Sequence, residues 1–393
     1  MSRQSKRPFQ DGDDREENYV ESGPSSHYLR IQNNPPKYSE LTPSDRTSSE
    51  RTPSKRTPSE PPPKRPRRSQ GTGKEKVEFG AFVEKMMISD DEAPPELKAL
   101  AKELHILAAG VHTIPDWQID AFASSSDEEH QLIATDLGFM FVEDAVRAAL
   151  GPCPSVESVE KIMNATRTAE RADFEEAAWN TKLHDPTLDL AFENKRFRSK
   201  FHFIQCTTAR IEPDDLLPRN DGGEPMQSRM VDFAGVLRPN ARILAAWQKL
   251  NAADPKCQTS WNQSFFQQLK KQPIVVSVET KISGSEKKKA IQQLATWVTA
   301  QFRKLEQLVP SEQARAELPF LPLILIQGPD WHFLAATRKD ERTYLWEGVH
   351  LGSTMAPRQM YPLIACLQRV GIWALDVYEP WFDRNVVDVL LRD

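Results

Sequence analysis

The stretch PIVVSVETK, residues 273–281, places an acid and a base in a valine-rich segment that otherwise reads as a buried β-strand. Side chains of a strand alternate between its two faces, so Glu279 and Lys281 share one face and Thr280 lies on the other. One interpretation is an edge strand whose end emerges into solvent, with Glu279 and Lys281 as a weak surface ion pair. The other is a functional site, and the rest of the chain has to decide between them.

The segments around this strand predict a mixed α/β fold. The stretch ADFEEAAWNTKLHDP, residues 172–186, has helical spacing, and KFHFIQCTTARI and SRMVDFAGVL follow as strands. A short helix, SWNQSFFQQLKKQ, is expected to lead into the quoted strand, and an amphipathic helix rich in Lys and Gln follows it. The strand LPLILIQ comes next. The order helix, strand, strand, strand, helix, strand predicts a mixed sheet flanked by helices.

Asp232 lies on the strand before the quoted one, in MVDFAG. Two acids on neighbouring strands and a lysine two residues beyond the second acid suit metal-assisted cleavage of a phosphodiester. A hard divalent cation, Mg²⁺ or Mn²⁺, takes oxygen ligands, here Asp232, Glu279 and the backbone carbonyl of Thr280. Such an ion lowers the pKa of a bound water, and Lys281 can orient that water or help to deprotonate it, and can stabilise charge on the phosphate.

Seven segments in order carry a resemblance to a known family: AAWNTKLHDP, CTTARI, VDF, PIVVSVETK, QQLATWV, LPLILIQGPDWHF and LWEGVHLGST. The chain resembles the PD-(D/E)XK nuclease superfamily, and more closely a group of fungal proteins called PD-(D/E)XK nuclease-like. The resemblance implies a restriction-endonuclease-like fold over roughly residues 160–393. It also implies that Asp232 and Glu279 are metal ligands and that Lys281 is the catalytic lysine. Val231 stands where the superfamily name expects proline.

The resemblance extends to two helices. Gln293 matches a helix glutamine that, in related nucleases, helps position the substrate or the lysine; otherwise it is a surface amide. The first helix often supplies a further carboxylate, for which Glu175 and Glu176 are both available, and the sequence leaves open which of them faces the site. His184 and His332 are weaker candidates, because a lone histidine among aromatic residues is more often structural.

Residues 1–75 are rich in Ser, Thr, Pro and charge, which predicts a disordered tail. Within it, KRPRR forms a basic cluster that predicts nuclear import through an import receptor, although a solvated charge run is the plainer interpretation. Residues 76–160 have helical apolar spacing and are expected to form a helical accessory region, and residues 161–393 the nuclease-like domain. The cluster consists of Lys64, Arg65, Arg67 and Arg68.

The charge balance bears on the function. The formal net charge of the 393 residues is −5, and the early basic clusters leave the folded part more acidic than the whole. The longest apolar run, LPFLPLILIQG, is too short to span a bilayer. The start of the sequence has no apolar segment typical of a signal peptide, and the four scattered cysteines suit a reducing compartment, so we expect a soluble intracellular protein. The alternative to a nuclease is an inactive nuclease fold that binds protein or nucleic acid. The acidic folded part favours this alternative, and the intact set of Asp232, Glu279 and Lys281 opposes it; the sequence does not indicate an oligomeric state.

Overall fold

The computed structural model describes residues 82–220, 222–254, 259–282, 286–309 and 311–392. All of these residues belong to one compact unit, Thr72–Asp393. The expected tail and its basic cluster at residues 64–68 lie outside the described residues. Among the described residues, no helix is both long enough and apolar enough to cross a lipid bilayer.

A mixed seven-stranded sheet forms the centre of the unit, in the strand order β1-β9-β8-β7-β6-β5-β4. The pairs β1–β9 and β6–β7 are parallel and the other neighbours are antiparallel. A two-stranded parallel sheet, β2–β3, lies apart. The strands are β1 Val83–Met87, β2 Ile114–Pro115, β3 Phe141–Val142, β4 Phe201–Gln205, β5 Phe233–Leu237, β6 Ile274–Lys281, β7 Leu321–Gln327, β8 Asp330–Lys339 and β9 Arg342–Ser353.

Helices flank the sheet, and several run on through a π-helical turn. The helices are α1 Pro95–Ala108, α2 Ile119–Ala123, α3 Glu128–Asp136, α4 Asp144–Ala148, α5 Val156–Arg171, α6 Glu176–Trp179, α7 Asp185–Phe192, α8 Ala241–Ala252, α9 Lys287–Leu308, α10 Glu312–Ala316, α11 Pro357–Trp373, α12 Glu379–Phe382 and α13 Asp388–Arg392. A π turn, Asn180–His184, joins α6 to α7. Two more, Ala374–Tyr378 and Asp383–Val387, connect α11, α12 and α13.

The predicted fold class is confirmed. The segment α6–α7, then β4, β5, β6, α9 and β7, gives the expected order of helix, three strands, helix and strand. Helix α9 packs on the face of β6 that carries Ser277, where the indole Nε1 of Trp297 donates a hydrogen bond to the Ser277 hydroxyl at 3.1 Å. Side chains two residues apart on a strand share a face, so the side chain of Glu279 leaves the backbone on the same side of the sheet as Ser277.

The strand that opened the sequence analysis is not an edge strand. It lies between β5 and β7, and all eight of its residues are buried. Glu279 is 1% exposed and Lys281 is 4% exposed, so the interpretation as a surface ion pair on an edge strand is wrong. The sequence left this interpretation open because β7, which covers the other side of β6, follows in the chain only after the whole of α9.

Two further expectations about local structure are wrong. Val83–Met87 lies in the region expected to be helical but forms β1, which supplies a hydrogen-bonding partner to the outer edge of β9. The stretch at residues 260–272 forms turns instead of a helix. There the Asn262 side chain donates to the carbonyls of Leu269 and Gln272 and accepts from the amide of Ile274, so it satisfies backbone groups without a helix.

Candidate active site

Asp232 and Glu279 are brought together by the pairing of two antiparallel strands. Phe233 pairs with Val278, and the Asp232 amide donates to the Val278 carbonyl at 2.9 Å, so Asp232 lies beside the end of β6. Directly opposed residues of antiparallel strands project to the same face. The register therefore places Asp232 opposite Glu279, close enough for the charge of Asp232 to raise the pKa of Glu279.

The Lys281 ammonium is held by two acids and a backbone carbonyl. Its Nζ donates to Oε1 of Glu279 at 2.6 Å and to the Thr280 carbonyl at 2.6 Å. It also lies 3.4 Å from both carboxylate oxygens of Glu176 at the start of α6. The helix thus closes over the end of β6. This contact involves Glu176, whereas its neighbour Glu175 is exposed.

Asp232 is anchored from two directions. Its Oδ2 accepts hydrogen bonds from the Thr280 amide and the Thr280 hydroxyl, both at 2.9 Å. Its Oδ1 accepts from the side-chain amide of Asn180 at 3.3 Å. Asp232 as a whole residue is 8% exposed, so these hydrogen bonds fix the orientation of a buried carboxylate.

Glu279 carries the least satisfied carboxyl group of the cluster. Its Oε1 accepts from Lys281, but its Oε2 is buried and has no hydrogen-bond partner among the described residues. Burial and, second, the nearby charge of Asp232 raise the pKa of Glu279 well above its usual value, although Lys281 acts in the opposite direction. A carboxylate in this position lacks a compensating positive charge on one of its two oxygens.

The charges of the other two groups follow from the same contacts. Burial lowers the pKa of Lys281, but Glu279, Glu176 and Asp232 together outweigh burial and raise it, so Lys281 stays protonated at neutral pH. Burial also raises the pKa of Glu176, with the attraction of Lys281 opposing the shift. The cluster therefore contains one firmly held cation and three acids that repel one another.

Gln293 lies near the cluster without bonding to its acids. Its Nε2 donates to the Met230 carbonyl at 3.4 Å, two residues before Asp232, and its Oε1 is buried with no partner among the described residues. Gln327 is a further neighbour, which no sequence pattern indicated. It is the parallel-strand partner of Lys281, and its amide nitrogen is likewise buried and unpartnered within the described part of the chain.

The sequence also gave no reason to connect Asn180 and His184 with Asp232. The Asn180 amide links the two, since His184 Nδ1 lies 2.8 Å from Asn180 Oδ1. Glu176, Asn180 and His184 are spaced by four residues, which places polar side chains on one face of a helix. That spacing was the available signal for the three residues.

Comparison with known families identifies the superfamily of the chain. The family model of the PD-(D/E)XK nuclease superfamily matches residues 122–379, which is more than half of the chain. The chain belongs to the PD-(D/E)XK nuclease superfamily. No curated protein and no solved structure matches it.

Nucleases of this superfamily usually use divalent metals. The side chains of the site would then have to supply oxygen ligands for such an ion. In the described ranges, no three His, Cys, Asp or Glu side chains form a ready-made metal cluster. Two buried carboxylates nevertheless lie side by side, and Oε2 of Glu279 has no partner there. Carboxylate oxygens are donors that suit Mg²⁺ or Mn²⁺. The residues therefore fit a divalent cation held by Asp232 and Glu279.

Proposed function

We propose that this PD-(D/E)XK protein hydrolyses phosphodiester bonds of nucleic acid with the help of a divalent cation. The observation that carries the proposal is the buried, unpartnered oxygen of Glu279 beside Asp232. A purely structural ion pair between Glu279 and Lys281 needs neither a second buried acid nor a free carboxylate oxygen. A cation at this position would satisfy both features.

Asp232 and Glu279 would hold the ion, with the Thr280 carbonyl as an additional oxygen donor once Lys281 turns to the substrate. Bound Mg²⁺ supplies charge neutralisation at the phosphate and an acidified water. Because the pKa of Glu279 is raised, its carboxyl must lose any proton before it binds a cation. The affinity for metal should therefore rise with pH.

Lys281 would act as a hydrogen-bond donor to the phosphate. Its raised pKa keeps the side chain cationic, so it stabilises negative charge that develops on the phosphate and does not take a proton from water. Glu176 would orient the Lys281 ammonium from the helix side. Gln293, next to the backbone that precedes Asp232, would help to place the substrate.

The nucleic acid itself would be bound through its phosphates. Three consecutive lysines, Lys287, Lys288 and Lys289, begin α9 just beyond the end of β6. Lysine side chains attract a phosphate anion through their charge. The backbone amides in the first turn of a helix can also donate hydrogen bonds to it. The three lysines would guide the strand toward the acids, whose own negative charge repels it in the absence of the cation.

The decisive experiment measures cleavage by the full-length protein. Plasmid DNA and single-stranded RNA are incubated with protein and Mg²⁺ or Mn²⁺, with and without a chelator. We expect cleavage only with metal, and a loss of about a hundredfold or more for Lys281→Met, which removes the charge but keeps the chain length. Lys249→Met, on the exposed side of α8, is the matched control and should cleave like the wild type.

Equal activity of the wild type and Lys281→Met would assign the cleavage to a contaminating enzyme. The alternative function would then apply, a nuclease fold without activity that binds protein or nucleic acid. The close 2.6 Å pairing of Lys281 with Glu279 favours that alternative, because it supplies Glu279 with a positive charge from within the protein.

Metal binding is tested independently of cleavage. A cation that binds only the folded protein stabilises it by about 2.7 kcal/mol at one hundred times its dissociation constant. Mg²⁺ or Mn²⁺ should therefore raise the melting temperature of the wild type by a few degrees. Asp232→Asn and Glu279→Gln should remove this increase, and Glu347→Gln, a glutamate on β9, should retain it. A wild type that does not respond to metal would contradict the proposed ion.

We also propose that the chain acts in the nucleus. The support is the basic cluster KRPRR at residues 64–68, which suits recognition by an import receptor. A fluorescent fusion of the full chain should concentrate in the nucleus, and replacement of the four basic residues by alanine should disperse it. Unchanged nuclear enrichment after the replacement would mean that another signal directs import.

A further inference from the structure

A continuous line of buried polar groups lies behind Asp232. His184 donates from Nε2 to the Gly328 carbonyl at 3.0 Å, and its Nδ1 lies 2.8 Å from the Asn180 amide. The Asn180 amide in turn donates to Asp232 Oδ1 at 3.3 Å. Asn180 and His184 are each only 2% exposed. Polar groups buried to this degree cost stability unless they are paired, so the line has to be satisfied internally.

The local helix geometry produces this alignment. Asn180–His184 is a π turn inserted between α6 and α7. Such turns are rare, and they widen a helix locally, which changes the direction in which its side chains project. Here the turn presents Asn180 to Asp232 and His184 to the loop after β7, while Glu176 on the preceding turn reaches Lys281. One helix face therefore contacts three parts of the site.

Gly328 connects the far end of the line to Lys281. Its amide donates to the Lys281 carbonyl at 2.7 Å, and its carbonyl accepts from His184. The residue has a φ of +57° and lies in the tight turn between β7 and β8. A Cβ at this position would lie 3.2 Å from the Ile282 carbonyl oxygen, so glycine suits the turn on two counts. The line thus runs from Asp232 back to the backbone of Lys281.

The direction of each bond couples His184 to Asp232. The Gly328 carbonyl can only accept, so Nε2 of His184 must carry a proton. Asn180 presents its nitrogen to Asp232 and its oxygen to Nδ1 of His184, so one amide contacts both residues. A change at Asp232 that moves this amide also changes the contact of the His184 ring. The two residues are therefore coupled through Asn180.

From this geometry we propose that Asn180 and His184 are positioning residues, which orient the Asp232 carboxylate and fix the helix of Glu176 to the ends of β6 and β7. The proposal rests on the proposed function in that it treats Asp232 as a metal ligand. Groups that hold a ligand from behind have large effects on metal sites, and their loss typically costs about 10–100-fold in affinity or activity. We expect a loss of that size in Mn²⁺ affinity for Asn180→Leu and for His184→Phe.

The first experiment measures Mn²⁺ binding by calorimetry on the full chain, with thermal melting to verify folding. Thr187→Val is the matched control. It removes a buried hydrogen bond of the same helix, from the Thr187 hydroxyl to the Leu183 carbonyl at 2.6 Å, but leaves the line intact. Its Mn²⁺ affinity should equal that of the wild type. His184→Gln, which keeps a donor for Gly328, should recover part of the loss caused by His184→Phe. Affinities that are unchanged in both Asn180→Leu and His184→Phe would overturn the proposal, as would an equal loss in Thr187→Val.

The second experiment requires no metal and no activity. The ring nitrogens of His184 are observed by NMR in full-length protein labelled with ¹⁵N-histidine. Asp232→Asn removes the charge at the far end of the line and should shift the His184 signals. The same substitution in an Asn180→Leu background should not shift them, and Glu279→Gln alone should have little effect.

These outcomes separate the two proposals. A wild type that neither binds Mn²⁺ nor cleaves nucleic acid would refute the proposed function, and the NMR result would then decide the coupling alone. Signals of His184 that ignore Asp232→Asn would overturn the positioning role even in an active nuclease. If His184→Phe or Asn180→Leu fails to fold, Asp232→Asn in the labelled wild-type background still gives the answer.

Discussion

Two lysine–glutamate pairs in this protein have the same distance between their charged atoms, but the pKa values of the two glutamates shift in opposite directions. Lys281 and Glu279 lie 2.6 Å apart within β6, and Lys85 of β1 lies 2.6 Å from Glu347 of β9. Burial raises the pKa of Glu347 less than Lys85 and Lys287 lower it, so its pKa falls below the usual value. The pKa of Glu279 rises well above the usual value. The distance between the charges therefore does not determine which form of the acid is favoured.

Burial and the neighbouring acid account for the difference. The side chains of Lys85 and Glu347 are 39% and 22% exposed, so water stabilises both charges. The side chains of Lys281 and Glu279 are 5% and 1% exposed, and the charge of Asp232 acts on the same glutamate. In a buried pair, the attraction between the two charges has to offset the cost of removing both from water. Here the negative charge of Asp232 additionally repels that of Glu279. Such a pair is poor at stabilising a fold but well suited to receiving a cation.

Removal of the lysine should give the largest contrast between the pairs. In Lys281→Met, Glu279 and Asp232 lose their nearest cation in a buried position, which costs about 3–5 kcal/mol for a typical buried pair. In Lys85→Met, a partly exposed pair is lost and Glu347 retains Lys287 at 3.6 Å, so the cost should be about 0.2–1 kcal/mol. Urea unfolding at neutral pH without metal measures both. Similar costs for the two variants would mean that the end of β6 is more hydrated than its burial indicates.

The two glutamates should also respond to pH with opposite signs. Glu279 holds a proton more tightly in the folded state than in the unfolded state, so its favourable contribution is present below the unfolded pKa of about 4.5 and is lost as the pH rises through the raised folded pKa. Relative to the wild type, Glu279→Gln should therefore gain stability as the pH increases above this value. The loss of the partner for Lys281 adds an offset, so the slope and not the absolute difference is the test.

Glu347 provides the matched comparison. Its folded pKa is lowered, so its contribution is present above the unfolded pKa and is lost as the pH falls through the folded value. Glu347→Gln should be less stable than the wild type at neutral pH, and the difference should disappear in acid. Parallel slopes for the two variants would contradict the opposite pKa directions. Denaturant midpoints between acidic and neutral pH, in the absence of metal, provide the measurement.

The contrast also shows what the sequence could and could not predict. Alternation along PIVVSVETK placed Glu279 and Lys281 on one face, the preceding strand added Asp232, and the resemblance of seven segments implied the same three residues. The valines predict a buried strand, but they do not decide whether its charged end is buried, because the partner that encloses this end is a strand beyond α9. The contact between His184 and Gly328 joins residues 144 positions apart, and no local pattern encodes it. The spacing of Glu176, Asn180 and His184 was visible in the sequence. Which groups these side chains contact depends on a π turn and on a tertiary contact, which the spacing does not predict. The roles of these residues, and of Gln293, stay predictions.

The smallest expected effect is the response of the pairs to salt. Exposed charges are screened once their surroundings fill with counterions, and the screening length falls from about 10 Å at 0.1 M to about 3 Å at 1 M ionic strength. A double-mutant cycle on Lys85 and Glu347 should give a coupling energy of about 0.2–1 kcal/mol that decreases between these salt concentrations. The cycle on Lys281 and Glu279 should give a larger coupling energy that hardly changes, because ions do not enter the space around buried side chains. Sodium chloride suits the experiment, since it adds no divalent cation that could occupy the carboxylates. A buried-pair coupling that falls with salt as steeply as the surface coupling would show that solvent reaches Glu279, and the explanation of its raised pKa by burial would then be wrong.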